Sequence, residues 1–509
     1  MIRKLAYILL ISLPAVTAMG QGIYHEQYRP QIHFSPPAHW MNDPNGMVYY
    51  KGVYHLFYQY YPGATVWGPM HWGHATSPDM VHWTNKPVAI YPDTIGLIFS
   101  GSVVVDYQNT SGFGKNGQPP LIAIFTQHSQ EKEKAGRVDA QVQSIAYSND
   151  DGKTWKKYTH NPVIKNPGIA DFRDPKVMWY APEKKWVMTL ATKDRITFFS
   201  SPNLKDWKKE SEFGATLGAH GGVWECPDLF PMTAADGKKM WVLIVNINPG
   251  GPQGGSATQY FTGSFDGKTF TPNNTTTRFL DQGTDEYAGV TWSNTGNRRL
   301  FLGWMSNWNY AITVPTKVWR SAMTVPRELR LTKVGDDYYV AAEPVKEMAA
   351  IKSKTLKLPQ IRGNGYLNKL IGRYDNQYQL NLSSKNLRSF SVDFSNDKHE
   401  RLTAGFDAKK NVWYIDRTQA GESGFNKDFA KRIEAPRIAK ESNTDVTLII
   451  DAASIELFAD KGLTVMTAIF FPEKPLNKIG LIIGDIASPP RFSPDKVTYT
   501  PLTSIWPKK

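Results

Sequence analysis

The chain has 509 residues, of which 41% are hydrophobic and 21% are charged. A chain of this length and apolar content can bury a sizeable core, which excludes wholesale disorder. Its 16 Trp, 24 Tyr and 24 Phe, together with 40 Gly and 34 Pro, favour many short strands and argue against a coiled coil or a helical bundle.

The formal net charge is +13, but the basic residues are spread along the chain and form no long Lys/Arg run. This pattern indicates a basic surface and predicts no nucleic-acid partner. The only cysteine is Cys226, which excludes an internal disulfide and a cysteine-rich metal site. Stability must therefore come from the hydrophobic core.

The N-terminus has the pattern of an export signal. Two basic residues precede the apolar stretch Leu5–Leu13, which is too short to span a bilayer. The small residues Ala18 and Gly20, at positions −3 and −1, permit cleavage before Gln21. We predict that residues 1–20 are a signal peptide. No cysteine follows for a lipid anchor, and no later stretch approaches the roughly 18 apolar residues of a membrane helix. We expect an exported protein, periplasmic or extracellular, without a membrane anchor.

The first predicted hairpin follows this signal. The sequence Asp-Pro-Asn-Gly at residues 43–46 has strong turn chemistry, with Asp at the first position and Pro at the second. We predict a turn there, a strand over Met47–Tyr50, a turn at Lys51-Gly52 and an aromatic-rich strand over Val53–Tyr60. This alternation of strand and turn continues to about residue 335.

A weak internal repeat runs through the first part of the chain. Each copy is a Ser-x-Asp/Asn turn followed by an aromatic residue. The copies lead from Ser77 to Trp83, Ser148 to Trp155, Ser201 to Trp207 and Ser264 to Phe270. One all-β unit per roughly 40–70 residues is typical of propeller blades. Ordinary hairpin turns are the alternative interpretation.

The composition changes near residue 345. Residues 343–357 are richer in Ala, Lys and Glu and favour a short linker helix. Apolar strands without Trp-rich turns come later, at Val446–Ile450, Ser454–Phe458 and Leu463–Phe471. We predict a propeller over residues 21–344 and a separate β-sandwich over residues 345–509.

Three carboxylates lie in acidic clusters close to an aromatic residue and a proline: Asp43, Asp174 and Glu225. Each has a structural interpretation as a turn opener, an ion-pair partner or a surface charge. The Cys226 next to Glu225 is expected to be a small buried hydrophobe. Because a propeller brings the inner strands of its blades to one funnel, we expect the three carboxylates to meet there.

Glycoside hydrolysis is the chemistry that needs such a set. Cleavage of an acetal passes through an oxocarbenium-like state, which one carboxylate attacks or stabilises. A second carboxylic acid must protonate the leaving oxygen near neutral pH. Tryptophans supply flat apolar faces for sugar rings.

The motifs at Trp40–Gly46, Phe172–Pro175 and Glu225-Cys226 resemble the three signature motifs of glycoside hydrolase family 32, which contains invertases, inulinases and levanases. The similarity covers nearly all of the chain after the signal. Further matching segments are Phe57–Tyr60, Trp67–His74, Phe99–Ser102, Asp285–Ala288, Gly303–Trp308 and Ile450-Asp451 to Phe471-Pro472.

The resemblance implies a five-bladed propeller followed by a β-sandwich, and a retaining mechanism without metal or cofactor. It implies that Asp43 is the nucleophile, Glu225 the acid and then the base, and Asp174 a holder of fructose hydroxyls. For a retaining enzyme, the carboxyls of Asp43 and Glu225 should lie about 5 Å apart. The first fructose subsite would be formed by Asn42, Gln59, Trp67, Phe99, Ser100, Arg173, Asp285 and Trp304.

The expected partner is therefore a fructan or fructo-oligosaccharide, and the protein is expected to act as a monomer. We expect exo-acting hydrolysis of levan- or inulin-type chains, with sucrose as a further substrate, because an exported enzyme meets such sugars. The open alternatives are an endo-levanase that cuts β-2,6 linkages internally, a fructosyltransferase and a catalytically silent fructan-binding protein. The Ser148–Trp155 turn also resembles that of sialidases, but no comparable arginine set is present.

Overall fold

The computed structural model describes residues 24–359, 364–372, 375–483 and 494–506, so the predicted signal peptide lies outside the described residues. Almost all regular structure in the described part is β-strand. The helices there are short. They are α1 (Gln130–Lys134), α2 (Asn368–Ile371) and two 3-10 helices at Ala181–Glu183 and Lys346–Ile351.

Residues 39–344 form a succession of antiparallel sheets. Their strands are β1 (His39–Tyr50), β2 (Val53–Tyr61), β3 (His71–Ser77), β4 (Thr84–Ile90), β5 (Leu97–Val105), β6 (Leu121–His128), β7 (Gln141–Ser148), β8 (Lys156–Lys157), β9 (Phe172–Tyr180), β10 (Lys185–Thr192), β11 (Arg195–Ser201), β12 (Lys208–Phe213), β13 (Val223–Thr233), β14 (Lys239–Asn248), β15 (Ala257–Phe265), β16 (Phe270–Pro272), β17 (Arg278–Phe279), β18 (Tyr287–Thr291), β19 (Leu300–Met305), β20 (Trp319–Arg320), β21 (Ala322–Met323), β22 (Arg327–Val334) and β23 (Asp337–Pro344).

These strands are grouped in chain order into five sheets, which begin at β1, β5, β9, β13 and β18. The first strand of each sheet contacts the first strand of the next, and β18 contacts β1, so the inner strands form a closed ring. The short strand β20 pairs in parallel with β1 and connects the last sheet to the first. This arrangement is the predicted propeller, with the number of sheets that five blades require.

The repeated Ser-x-Asp/Asn turn occupies the same place in four sheets. It follows the third strand of each sheet, β3, β7, β11 or β15, and leads into the fourth. In three copies the serine hydroxyl bonds the acidic or amide side chain two residues later, as Ser148 Oγ does with Asp150 at 2.8 Å. The repeat therefore marks a structural unit, which is the blade.

The predicted turn at residues 43–46 is wrong. Strand β1 runs through these residues, and its pairing with β2 shifts register between Met41 and Pro44 and again between Asn45 and Val48. Gly46 has a φ of 58°, and a Cβ there would lie 2.7 Å from the Phe57 ring. The turn-forming residues thus produce β-bulges, which bend the strand without ending it. The predicted turn at Lys51-Gly52 does connect β1 with β2.

The second part of the chain is a β-sandwich, as predicted. Its strands are β24 (Leu356–Leu358), β25 (Gly365–Tyr366), β26 (Tyr378–Ser384), β27 (Phe390–Ser395), β28 (Arg401–Asp407), β29 (Val412–Gln419), β30 (Arg432–Pro436), β31 (Thr444–Asp451), β32 (Ser454–Ala459), β33 (Thr464–Ile469), β34 (Lys478–Ile483) and β35 (Lys496–Pro501). One six-stranded sheet has the order β24-β35-β26-β31-β32-β33 and the other β25-β34-β27-β28-β29-β30. Buried side chains such as Leu380, Phe394 and Ile455 pack between the two sheets.

A buried charge network joins the two parts. The guanidinium of Arg327 donates to Asp281 at 2.9 Å and to Glu456 of the sandwich at 2.6 Å. His33 lies between Glu456 and Asp451, at 2.8 Å from each. Burial opposes charge on this imidazole, but hydrogen bonds to the two carboxylates outweigh it and raise the pKa of His33 to about 9.

Candidate active site

The three predicted carboxylates line one cavity of about 250 Å³. Asp43 lies on β1, Asp174 on β9 and Glu225 on β13, which are the first strands of three different sheets. Since these strands belong to the inner ring, residues 131 and 51 positions apart in the sequence meet at one end of the propeller axis.

Asp43 is partly exposed to the cavity, and each of its oxygens accepts a hydrogen bond. Ser100 Oγ donates to Oδ2 at 2.7 Å, and Asn42 Nδ2 donates to Oδ1 at 2.9 Å. The indole of Trp40 donates to Asn42 Oδ1 at 2.7 Å and so orients the amide. Burial, and next the negative charge of Glu225, raise the pKa of Asp43 above its usual value. The two donors leave a carboxylate that is held in place and faces the cavity.

Asp174 is more deeply placed, with only 5% of its surface exposed. The backbone N–H of Cys226 donates to its Oδ2 at 3.0 Å, and Arg173 Nε lies 4.0 Å from the same oxygen. Burial raises the pKa of Asp174; Arg173 opposes the shift, while Glu225 and Asp43 add to it. The backbone of Asp174 has a φ of 64°, a left-handed conformation of the kind that concentrates at functional sites.

Arg173 connects two acidic side chains at the cavity wall. Its Nε and Nη2 donate to Glu225 Oε1 at 3.1 and 2.9 Å, and its Nη1 donates to Asp171 Oδ1 at 2.5 Å. Burial opposes its charge, yet the surrounding carboxylates, first Glu225, raise the pKa of Arg173 above its usual value. The cation therefore stays charged and keeps Glu225 in one orientation.

Both oxygens of Glu225 are hydrogen-bonded. Arg173 occupies Oε1, and the hydroxyl of Tyr287 donates a short hydrogen bond to Oε2. Burial and the neighbouring charge of Glu225 raise the pKa of Tyr287 well above its usual value, so this phenol remains a donor. The Glu225 side chain is 20% exposed, compared with 5% for Asp174, and thus reaches further into the cavity.

The structure brings most of the predicted subsite residues to this cavity. Gln59 is 2% exposed, and its Nε2 has no hydrogen-bond partner within the described residues, so it is a free donor at the wall. The rings of Trp67 and Phe99 meet edge to face at 6.1 Å. The predicted residues that line the cavity with the three carboxylates are Asn42, Gln59, Trp67, Phe99, Ser100 and Arg173.

Two predicted residues lie elsewhere. Asp285 is fully buried and accepts hydrogen bonds from Arg417 Nη1 at 2.6 Å and Tyr310 Oη at 2.5 Å, so its carboxylate serves the contact between propeller and sandwich. Trp304 is also fully buried and packs behind Trp308 at 5.0 Å. Trp308 lines the cavity in its place.

Sequence reasoning assigned no site role to five cavity residues: His128, Glu133, Gln141, Asp171 and Trp308. Trp308 ends the Gly303–Trp308 segment and Asp171 immediately precedes the Phe172–Pro175 motif, so the sequence carries a signal for both. The other three come from β6, α1 and β7, where no motif marks them. The His128 ring stacks on Phe99 at 4.6 Å and contacts Glu133 Oε2 at 3.0 Å.

Cys226 is buried, as predicted, but it also contacts the acidic groups. Its thiol lies 3.5 Å from Asp43 Oδ2 and 3.6 Å from Asp174 Oδ2. Burial and the adjacent carboxylates, first Asp174, raise the pKa of the Cys226 thiol well above its usual value. The group is therefore a neutral, weak donor between two acids.

The described residues also bear on metal binding and on membrane crossing. Among them, no cluster of three or more His, Cys, Asp or Glu side chains has the arrangement of a metal site. No helix in the same part of the chain has the length and apolar character needed to cross a bilayer.

Comparisons with known proteins agree on one family. Residues 33–344 match the profile of the glycosyl hydrolases family 32 N-terminal domain, and residues 347–488 match that of the family 32 C-terminal domain. The chain is 44% identical over 512 residues to a levanase of Bacillus subtilis (strain 168), a match that covers 98% of this chain and 74% of that protein.

The chain is also 39% identical over 486 residues to an extracellular exo-inulinase of Aspergillus niger, covering 88% of this chain and 90% of that one. Among solved structures, the exo-inulinase of Aspergillus awamori superposes with a TM-score of 0.86 at 35% identity. That match covers 95% of this chain and 100% of the other.

Proposed function

Because the chain belongs to glycosyl hydrolase family 32 and is a glycoside hydrolase, we propose that it is a retaining β-fructosidase that hydrolyses fructans from their ends. The observation that carries this proposal is the shared cavity, in which Asp43 faces the site beside Glu225. Asp43 is held by neutral donors, whereas Glu225 is held by Arg173 and Tyr287. Two carboxylates in different surroundings can take different roles in one reaction.

In the first step, Asp43 attacks the anomeric C2 of the terminal fructosyl unit. The bond between C2 and the leaving oxygen breaks, and Glu225, which reacts in its protonated form, transfers the proton to that oxygen, so that a fructosyl ester and a free alcohol form. In the second step, Glu225 takes a proton from water, the water oxygen attacks C2, and Asp43 leaves. The β configuration is retained because C2 is inverted twice. We expect Asp43 and Glu225 carboxyls about 5 Å apart.

Asp174 and Arg173 are proposed to position the fructosyl unit. The Cys226 N–H donates to Oδ2 of Asp174 and holds the carboxylate in place. The other oxygen, Oδ1, can then accept hydrogen bonds from sugar hydroxyls. Such bonds contribute to the rate only if they strengthen in the transition state. Gln59 supplies a donor that lacks a partner in the described part of the chain, and the rings of Trp67 and Phe99 supply apolar faces.

Exo action is supported by the size of the cavity. At about 250 Å³ it is below the roughly 300–1,000 Å³ of typical ligand pockets, and it therefore suits one terminal unit better than an internal segment of a chain. The similar proteins include one named levanase and one named exo-inulinase, so both levan-type and inulin-type chains are proposed substrates, with sucrose as a third.

We place the enzyme outside the cytoplasm as a monomer, periplasmic or extracellular. The export proposal rests on the signal-like pattern of residues 1–20 and on similarity to a protein named as extracellular. N-terminal sequencing of the protein recovered from the host's exported fraction tests it. A chain that starts at Gln21 is expected, and a chain that retains Met1 contradicts the proposal.

The deciding experiment is a time course of products from levan, inulin and sucrose with the purified protein. Fructose as the only early product is expected. A ladder of oligosaccharides from levan indicates the endo-levanase alternative, and products longer than the substrate indicate a fructosyltransferase. Binding without any product would indicate a catalytically silent fructan-binding protein.

A further inference from the structure

A second, larger cavity lies at the other end of the inner strands. Its volume is about 630 Å³, within the range of ligand pockets and more than twice the volume of the active-site cavity. Strand β9 carries Asp174 to the active site and then lines the second cavity from Lys176 to Tyr180. At about 3.3 Å per residue, Trp179 lies about 16 Å along the strand from Asp174. The two cavities are therefore separate sites on one propeller axis.

Aromatic side chains dominate the wall of this cavity. Trp179, Tyr180 and Trp241 line it and are each only partly buried, and Tyr107 is 64% exposed. Within the described residues, neither the Trp179 nor the Trp241 indole N–H has a hydrogen-bond partner. A wall that offers both flat apolar rings and free donors suits a ligand with apolar faces and hydroxyl groups.

The charged groups of the cavity are already satisfied by the protein. Lys176 Nζ lies 3.1 Å from Asp228 Oδ2 and also donates to the Thr291 carbonyl at 2.5 Å. Arg299 donates to the backbone carbonyls of Pro231 at 3.1 Å and Gly296 at 2.7 Å. Lys176 and Asp228 form an ion pair, and Arg299 remains a cation that bonds backbone carbonyls, so the cavity favours a ligand rich in hydroxyl oxygens over a cation.

We propose that this cavity is a second carbohydrate-binding site that holds a neutral oligosaccharide segment of the fructan substrate. The inference rests on the proposed function, because it takes its ligand from the proposed substrate. A long chain bound at both ends of the axis stays near the enzyme after each cleavage, whereas a short substrate occupies the active site alone. The second site therefore raises affinity for long chains without a new catalytic group.

The test compares long-chain inulin with an inulin trisaccharide as substrates of the parent enzyme and of the double variant Trp179→Ala/Trp241→Ala. We expect the KM of the double variant for long-chain inulin to rise at least about threefold, because the chain can no longer bind at both cavities. The kcat/KM for the trisaccharide should stay within about twofold of the parent value. Tyr107→Ala changes an exposed side chain, which rarely affects folding, and is expected to shift the KM for long chains in the same direction.

The matched control is Trp207→Ala, which removes a partly buried tryptophan of the repeated turn outside both cavities. This variant should leave both the KM for long-chain inulin and the kcat/KM for the trisaccharide unchanged. An unchanged KM for long chains in both cavity variants would overturn the inference while the parent's activity upholds the proposed function. A parent that releases no fructose from either substrate would instead overturn the proposed function, and the second site with it.

Discussion

The thiol of Cys226 lies 3.5 Å from Oδ2 of Asp43, on the inner side of the carboxylate that faces the cavity. The same sulfur is 3.6 Å from Asp174 Oδ2, and the Cys226 backbone N–H bonds that oxygen at 3.0 Å. One residue next to the proposed acid therefore contacts both of the other carboxylates. The positive φ of Cys226, 41°, belongs to the bend that creates these contacts.

This contact predicts graded effects at position 226. Cys226→Ser keeps a donor of similar size and is expected to lower kcat less than about tenfold. Cys226→Ala removes this weak donor altogether and should lower kcat further than the serine variant, by about tenfold, which corresponds to roughly 1.4 kcal/mol. Steady-state kinetics on a short fructan measures both. Equal losses in the two variants would contradict a role for the donor and indicate a packing role.

The proposed roles of Asp43 and Glu225 predict different responses to the leaving group. Asp43→Asn should lower kcat by about 10⁴-fold or more with every substrate, because no nucleophile remains. Glu225→Gln should lose comparable activity with fructans but much less with a fructoside whose leaving group needs no proton. The rates of the two variants with such an activated fructoside therefore distinguish the nucleophile from the acid. If Glu225→Gln is equally slow with it, Glu225 is not the acid.

Tyr287→Phe tests how Glu225 is positioned. The variant deletes the hydroxyl that donates to Glu225 Oε2 but leaves Arg173 on Oε1. We expect kcat to fall about tenfold, as for one lost hydrogen bond to a charged group, with little change in KM. Circular dichroism serves as the folding control. A change confined to KM would mean that Tyr287 contacts the substrate instead of holding the acid.

The ion pair between Asp285 and Arg417 predicts that Asp285, which the family resemblance placed in the fructose subsite, contributes to the stability of the fold. Arg417→Met leaves a buried carboxylate without its cation and should reduce the free energy of unfolding by about 3–5 kcal/mol. The KM of the remaining folded enzyme should not change. The double variant Arg417→Met/Asp285→Leu should recover much of the loss. Urea unfolding and kinetics are the measurements, and a raised KM at full stability would restore the sugar-binding role.

His33 predicts a loss of stability in alkali. Its pKa is raised to about 9, above the ordinary 6.5, so its charged form stabilises the folded state fully below about pH 6.5. That stabilisation, on the order of a few kcal/mol, is lost as the pH rises through 9. The melting temperature of the parent should fall over this interval. His33→Asn should melt lower at pH 6 and show a flatter profile; a parallel profile would contradict the assignment.

Several parts of the fold could be predicted from the sequence because their signals are local. The Ser-x-Asp/Asn turns recur with a following aromatic, and they prove to follow the third strand of four blades. The three carboxylates were identifiable because each lies in a short motif. The Asp-Pro-Asn-Gly segment shows the limit of local signals, since its turn chemistry forms bulges once Phe57 and Trp72 pack against Gly46.

The sequence by itself determined the all-β class, the repeated unit and the acidic groups, because these depend on neighbours along the chain. Only the tertiary structure decided which groups touch. Asp285 is 132 residues from the Arg417 that binds it, and Cys226 is 183 residues from Asp43. Such contacts arise when blades close into a ring and the sandwich packs against it, so no spacing in the sequence records them. The same closure created the second cavity behind the active site.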